Sequence, residues 1–266
     1  MFANKVKKVA AIHDLSGMGR VSLTVVIPIL SSMGFQVCPL PTAILSNHTQ
    51  YPDFTFLDLT DEMPRIIAEW KRLEVEFDAI YTGYLGSPRQ IQIVSDFIRD
   101  FRRKDSLTVI DPVLGDNGKL YSNFNESMVV EMQHLVTHAD VITPNLTELF
   151  YLLDRPYKES NTDQELKEYL RCLSDKGPEV VIITSVPVLD EPHKTSVYAY
   201  NRTGNRYWKI HMSLFARPLS GYGRYVYECH YRSFIAGRQS SHCSGPCYAV
   251  YFAGHSCYFR LRVRQS

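Results

Sequence analysis

Through about residue 210, short apolar runs alternate with segments of helical period. Residues 8–13 (KVAAIH) read as a buried strand entering a glycine-containing turn, Ser16-Gly17-Met18-Gly19, with a helical apolar pattern following to Met33. Residues 35–45 form an extended apolar stretch interrupted by Pro39 and Pro41 and closing on Ser46-Asn47-His48-Thr49-Gln50. Asp61 is expected to cap a helix reaching Leu73, with acidic residues in its first turn. Residues 77–81 are a strand, followed by the turn Gly83-Tyr84-Leu85-Gly86. Ser87 then caps a helix whose first position is Pro88. Strands are expected at 107–110, ending on Asp111-Pro112, at 141–142, ending on Thr143-Pro144-Asn145, and at 180–183, ending on Thr184-Ser185. Helices begin at Glu126 and span 163–176, and residues 196–210 fit a β-hairpin around Thr203-Gly204-Asn205. This alternation predicts an α/β fold: a central, mostly parallel sheet with helices on both faces.

The pattern ends near Ile210. From His211 onward there is no Lys and no Asp, Glu228 is the only acid, and every basic residue is an Arg: Arg217, Arg224, Arg232, Arg238, Arg260, Arg262 and Arg264. Cys229, Cys243, Cys247 and Cys257 also fall here, and apolar periodicity fades. Back-translation offers a cause. Read from the second base of each codon, Ser220-Gly221-Tyr222-Gly223-Arg224 can become Pro-Gly-Thr-Gly-Asp, and the residues to about Ala249 can become MFTSVITGALLQGDSLPIALDRAMQ. The far end agrees, since residues 259–265 can be reread as FGYEYDN. The reread text is a glycine-rich turn, an Asp and an apolar, helix-compatible run, all in one frame. The expected organisation is therefore an incomplete domain over residues 1–210 and an out-of-frame tail over 211–266.

Charge supports that division. The overall balance of 29 basic against 28 acidic residues hides an acidic body offset by the arginine tail. Scattered arginines of that origin give no reason to expect nucleic acid as a partner. No apolar stretch reaches the ~20 residues of a spanning helix, and residues 1–8 are charged without a signal-type core. The body carries only Cys38 and Cys172, which suits a reducing cytoplasm.

In a parallel sheet, ligands gather beyond the carboxyl ends of the strands. The polar groups here lie at those ends: His13-Asp14, residues 46–50, Gly83, Asp111, Asn145 with Glu148, and Thr184-Ser185. Asp111-Pro112-Val113-Leu114-Gly115-Asp116 and Thr143-Pro144-Asn145-Leu146-Thr147-Glu148, in this order and spacing, resemble motifs of the ribokinase-like small-molecule kinases. Ser46-Asn47-His48-Thr49-Gln50-Tyr51 and Gly83-Tyr84-Leu85-Gly86-Ser87 narrow the resemblance to the vitamin B6 kinases, which phosphorylate pyridoxal and pyridoxamine. The resemblance covers residues 6–210.

It implies ATP-dependent phosphorylation of the 5′-hydroxymethyl group of a B6 vitamer, with ATP and Mg²⁺ as cofactors and a monovalent cation as an open further requirement. The alternatives are hydroxymethylpyrimidine kinase activity, or a catalytically dead protein that keeps a ligand pocket. The resemblance further implies acceptor contacts from His13, Ser16, Ser46, His48, Thr49 and Gly83, although His13-Asp14-Leu15-Ser16 departs from the usual family turn. It puts Asp111, Asn145, Thr184 and Ser185 on the nucleotide side, and Asp111 and Glu148 near the metal, with Asp116 a weaker candidate. A homodimer is expected, with no membrane partner. The family's catalytic base is the Asp of a Gly-Thr-Gly-Asp loop. This chain has Arg224 there, and a guanidinium cannot accept the hydroxyl proton. The chain as it stands is expected to be inactive.

Overall fold

The computed structural model describes residues 6–48, 51, 53–188, 191, 193–213, 247–253 and 256–262. Its centre is a nine-stranded sheet built from β1 (Lys8–Met18), β2 (Gln36–Asn47), β3 (Phe56–Asp58), β4 (Ala79–Thr82), β5 (Leu107–Ile110), β8 (Val141–Ile142), β9 (Val180–Pro187), β10 (Lys194–Asn201) and β11 (Arg206–Ser213). The order across it is β11-β10-β9-β8-β5-β4-β1-β2-β3. The strands from β2 to β9 pair in parallel; β3 at one margin and the β10–β11 hairpin at the other run antiparallel. Two small hairpins lie outside this sheet: β6 (Gly115–Asp116) with β7 (Lys119–Leu120), and β12 (Cys247–Ala253) with β13 (Ser256–Arg262).

Alternation along the strands sorts side chains onto two faces. Ile80, Ile110, Ile142, Val181 and Ile183 point into a core shared with α2 (Met63–Arg72), α3 (Pro88–Phe101), α4 (Glu126–Leu135), α5 (Leu146–Leu153) and α6 (Asp163–Asp175). Ala79, Tyr81, Val109, Val141 and Ile182 belong to a second cluster with Leu23, Val26 and Leu30 of α1 (Leu23–Ser32). Both faces of the parallel strands are thus apolar, as near-continuous Val/Ile runs require.

Several boundaries differ from expectation, each for a local reason. β1 does not stop at His13 but runs on to Met18, because β2 continues beside it to Asn47. Pro39 and Pro41 are tolerated in β2 because β3 pairs only with residues 43–45, so the missing N–H groups interrupt no ladder on that side. Asp61 is not the cap of α2. Glu62 holds that position, Pro64 lies in the first turn, and no acidic residue follows in that turn. Asp61 instead pairs with Arg89 at 2.7 Å. Thr184 and Ser185 do not end β9; they sit inside it at a bulge opposite β10, where Ser185 has a φ of 56°. Ser87 caps α3 as expected, accepting from the Gln90 N–H.

Candidate active site

The strand order reverses direction once, between β1 and β4. The chain passes from β1 to β2 on one side, then returns to lay β4, β5, β8 and β9 on the other. A crevice outside the carboxyl ends of the strands is expected at such a point. His13, Asp14 and Ser16 from β1, Ser46 and His48 from the end of β2, and Gly83 after β4 are gathered there.

Close backbone approach sets this side of the site. A Cβ on Gly83 would stand 2.2 Å from His13 Nδ1, and one on Gly19 would stand 2.3 Å from His48 Cδ2. Both imidazoles therefore rest directly on glycine backbone. His13 also meets the Tyr81 ring edge-on, with centroids 4.4 Å apart. Burial lowers its pKa to about 3, so the ring is neutral, and its Nε2 has no hydrogen-bond partner among the described residues. Ser16 is buried and donates its hydroxyl to Asp14. Ser46 is exposed; its hydroxyl donates to Asn47 Oδ1 at 2.7 Å and accepts from the Thr55 N–H at 2.9 Å, closing the β2–β3 hairpin. Thr49 lies outside the described residues, as do Arg224 and the loop around it.

Gln90 holds the two walls of this side together and was not singled out by its sequence context. It is 1 % exposed at the start of α3. Its Nε2 donates to the Thr42 carbonyl, Asp58 Oδ1 and Thr60 Oγ1, while its Oε1 accepts from the Gly86 N–H at 2.7 Å. Thr42 in turn donates to the Tyr84 carbonyl at 3.0 Å. One amide thus ties β2 to the turn after β4. Gln90→Leu leaves buried donors and acceptors unmatched and is expected to cost about 2 kcal/mol. Urea denaturation of the two proteins checks it, and a loss under about 0.5 kcal/mol would mean that water replaces the amide.

The other half of the site lies at the ends of β5, β8 and β9. Asn145 caps α5 and forms a capping box with Glu148. The Asn145 N–H donates to Glu148 Oε2 at 2.8 Å, the Leu114 N–H donates to Oε1 at 3.2 Å, and Asn145 Nδ2 donates to the Gly115 carbonyl at 2.8 Å. Part of what makes Glu148 buried is therefore helix capping. Capping does not explain Asp111, also buried and close enough for its charge to act on Glu148. Burial raises the pKa of both, and mutual repulsion raises Glu148 further. Two such acids call for a cation. Among the described residues no three His, Cys, Asp or Glu side chains converge into a metal cage. The pair suits Mg²⁺ held partly by water and phosphate oxygens, that ion's usual mode. Asp116 lies on β6 and is exposed, its Oδ1 accepting from the Asn117 N–H. Thr184 reaches this half through its N–H, which donates to the Pro144 carbonyl at 2.9 Å, whereas Ser185 is exposed on the bulge.

The polar groups at the β1/β4 reversal and the buried acid pair thus occupy adjoining stretches of one sheet edge. The family model of phosphomethylpyrimidine kinase matches residues 32–222. The chain belongs to that family. A structure from Bacteroides thetaiotaomicron that bears the family's name and was crystallised with pyridoxal is 83% identical, with a TM-score of 0.77 over 79% of this chain and 73% of its own. Pyridoxal kinase from Leishmania donovani, in complex with ADP and pyridoxamine, is 25% identical, with a TM-score of 0.69 over 77% of this chain and 73% of its own. A pyridoxal kinase of Photobacterium profundum is 28% identical over 83% of this chain and 78% of its own length. The chain spans only about half the length of some eukaryotic relatives, 52% for the Arabidopsis thaliana pyridoxal kinase, which is 31% identical. The solved structures share this α/β fold, and together these relatives mark the chain as a ribokinase-like phosphotransferase of the vitamin B6 kinase group. No helix among the described residues is long and apolar enough to cross a membrane.

Proposed function

We propose that this fold transfers the terminal phosphoryl group of ATP to the 5′-hydroxymethyl group of pyridoxal, pyridoxamine or pyridoxine. The observation that carries the reading is the division of one sheet edge into a polar acceptor crevice at the β1/β4 reversal and a buried acid pair two strands away. The 83% identical relative crystallised with pyridoxal supports a vitamer over a pyrimidine as the ring that enters the crevice. ATP as donor is supported by the ADP complex of the Leishmania enzyme.

Phosphoryl transfer is mostly alignment and charge neutralisation. His13, Ser16, Ser46, His48 and Gly83 would border the ring, and Thr49 would add a hydroxyl to it. Asn145, Thr184 and Ser185 would line the nucleotide side. Asp111 and Glu148 would hold Mg²⁺, which when bound neutralises triphosphate charge. Removing the acceptor proton and holding the transferring phosphoryl need a carboxylate base and a turn of backbone N–H groups. Arg224 could bind phosphate but cannot accept that proton. As it stands the chain would bind acceptor with little or no turnover.

A coupled assay with ATP and Mg²⁺ on a frame-restored protein, offering pyridoxal and hydroxymethylpyrimidine side by side, tests the acceptor. Faster turnover of pyridoxal is expected; preference for the pyrimidine would sink the assignment.

The working unit we propose is a cytoplasmic homodimer joined at the β2–β3 margin. β3 is short, sits at the sheet edge and is wholly exposed. Ile44 and Leu57 face each other across β2 and β3, at 41% and 57% exposure. A second copy would cover both the apolar pair and the unpaired edge. Leu57→Glu is expected to convert the dimer to monomer in sedimentation velocity; unchanged sedimentation would place the interface elsewhere.

A further inference from the structure

Asp14 is a buried acid with no part in the acceptor reading so far. It lies at the strand-order reversal, where the β1–β2 register shifts between His13 and Leu15. Such an irregularity re-aims a side chain. Two hydroxyls converge on its carboxyl: Ser22 donates to Oδ1 and Ser16 to Oδ2. Ser22 occupies the cap position of α1, yet its side chain makes no capping bond there. A serine cap ordinarily stabilises a helix; here the hydroxyl is turned to the acid instead, and the backbone at Ser22 takes a φ of 50°.

What the two serines leave unsatisfied is charge. Burial raises the Asp14 pKa, and the serine bonds oppose that shift only in part. Among the described residues no Lys, Arg or His forms an ion pair with it. The adjacent residue in the chain, His13, carries a neutral imidazole. Tyr84 feels the charges of Asp14 and Asp58, both negative. Beyond the two serines and its own backbone N–H, the Asp14 carboxyl keeps acceptor capacity for one further donor on the crevice wall. A cationic N–H donor satisfies both conditions at once.

We propose that Asp14 selects the acceptor by pairing its carboxylate with a protonated ring nitrogen on a six-membered heteroaromatic ring. The proposal rests on the acceptor-site reading above and assigns Asp14 as a specificity residue, with no role in proton transfer at the 5′-hydroxymethyl group. Ser16 and Ser22 act as positioning residues that hold the carboxyl. A role confined to bracing the start of α1 would affect every ligand alike.

Binding, which needs no turnover, separates these roles in the full chain. Isothermal titration with pyridoxine is compared with its benzene analogue, in which C–H replaces the ring nitrogen. The chain is expected to bind pyridoxine at least tenfold more tightly than the analogue. Asp14→Asn is expected to erase that preference, weakening pyridoxine tenfold or more while leaving the analogue within twofold. Equal binding of the two ligands by the unaltered chain, or an equal loss of both in the variant, overturns the proposal and leaves the acceptor reading standing. Binding of neither ligand by the unaltered chain overturns the acceptor reading and this inference with it. Should Asp14→Asn fail to fold, Ser22→Ala decides, since it keeps the acid but loosens one oxygen. A change confined to pyridoxine sustains the pairing, and an equal change for both ligands refutes it.

Discussion

Replacing residues 211–266 with the text of the neighbouring frame is expected to raise pyridoxal phosphorylation by at least 10⁴-fold. The estimate combines a general base, worth about 10²–10⁴, with the donors that hold the transferring phosphoryl, worth about 10²–10³ each where measured in other enzymes. Groups that act as a unit are not additive, so the lower part of the product is the safer figure. The change puts an Asp where Arg224 stands, ahead of an apolar run compatible with a helix. Arg224→Asp alone is expected to recover little, because the surrounding backbone would still carry the wrong residues. Steady-state turnover of the three proteins checks this. Comparable activity in the unaltered chain would mean that residues 211–266 are not out of frame and would require another base. Resequencing the codons for Tyr207 to Arg224 distinguishes the two histories. A missing or extra base means an intact kinase lies behind this text; an unchanged reading means a decayed or repurposed one.

Fold and site were legible in the sequence to different depths. Val9 to Ile12, Ile80, Val109 to Ile110 and Val181 to Ile183 are buried on both faces of a parallel sheet, and such strands read as plain apolar runs. Ser87-Pro88 and the Asn145/Glu148 pair announce helix starts through local chemistry alone. Asp61 misled because it has the chemistry of a cap, but Pro64 sets the helix start and Arg89, from another helix, takes the carboxylate. β3 and the Gly115–Leu120 hairpin are too short to leave a periodic trace. The polar groups proposed to meet the acceptor stood out as a set of strand ends, but their wiring did not. Gln90 sits within a helical pattern, and its partners at Thr42, Asp58 and Thr60 are 30 to 48 residues away. No local signal encodes such a network. Asp14 was visible as a polar residue beside His13; its two serine partners depend on the turn into α1, which periodicity does not describe.

Lowering the pH from 7 to 4 is expected to destabilise this fold by about 3 kcal/mol through His13 alone, given a folded pKa of about 3 against the ordinary 6.5. Burial against Tyr81 and Gly83 removes the water that would solvate an imidazolium. In the folded chain the ring stays neutral down to about pH 3, whereas the unfolded chain takes up a proton below 6.5. Between those values the unfolded state binds more protons, so stability falls as the pH falls. Above 6.5 neither state is charged, and the contribution is complete and constant. Carboxylates also titrate in this window, so the raw curve of the unaltered protein does not isolate the histidine. His13→Gln keeps a polar group at the site but cannot titrate, and the carboxylate contributions are shared. Urea unfolding of both proteins from pH 7.5 to 4 should give curves that diverge below pH 6.5, the unaltered chain losing about 3 kcal/mol more by pH 4. Parallel curves would mean that the imidazole finds solvent or an acid and is charged in the folded state. The same result would undercut the crevice as drawn, since a cationic His13 would supply the charge that Asp14 is inferred to seek from its ligand.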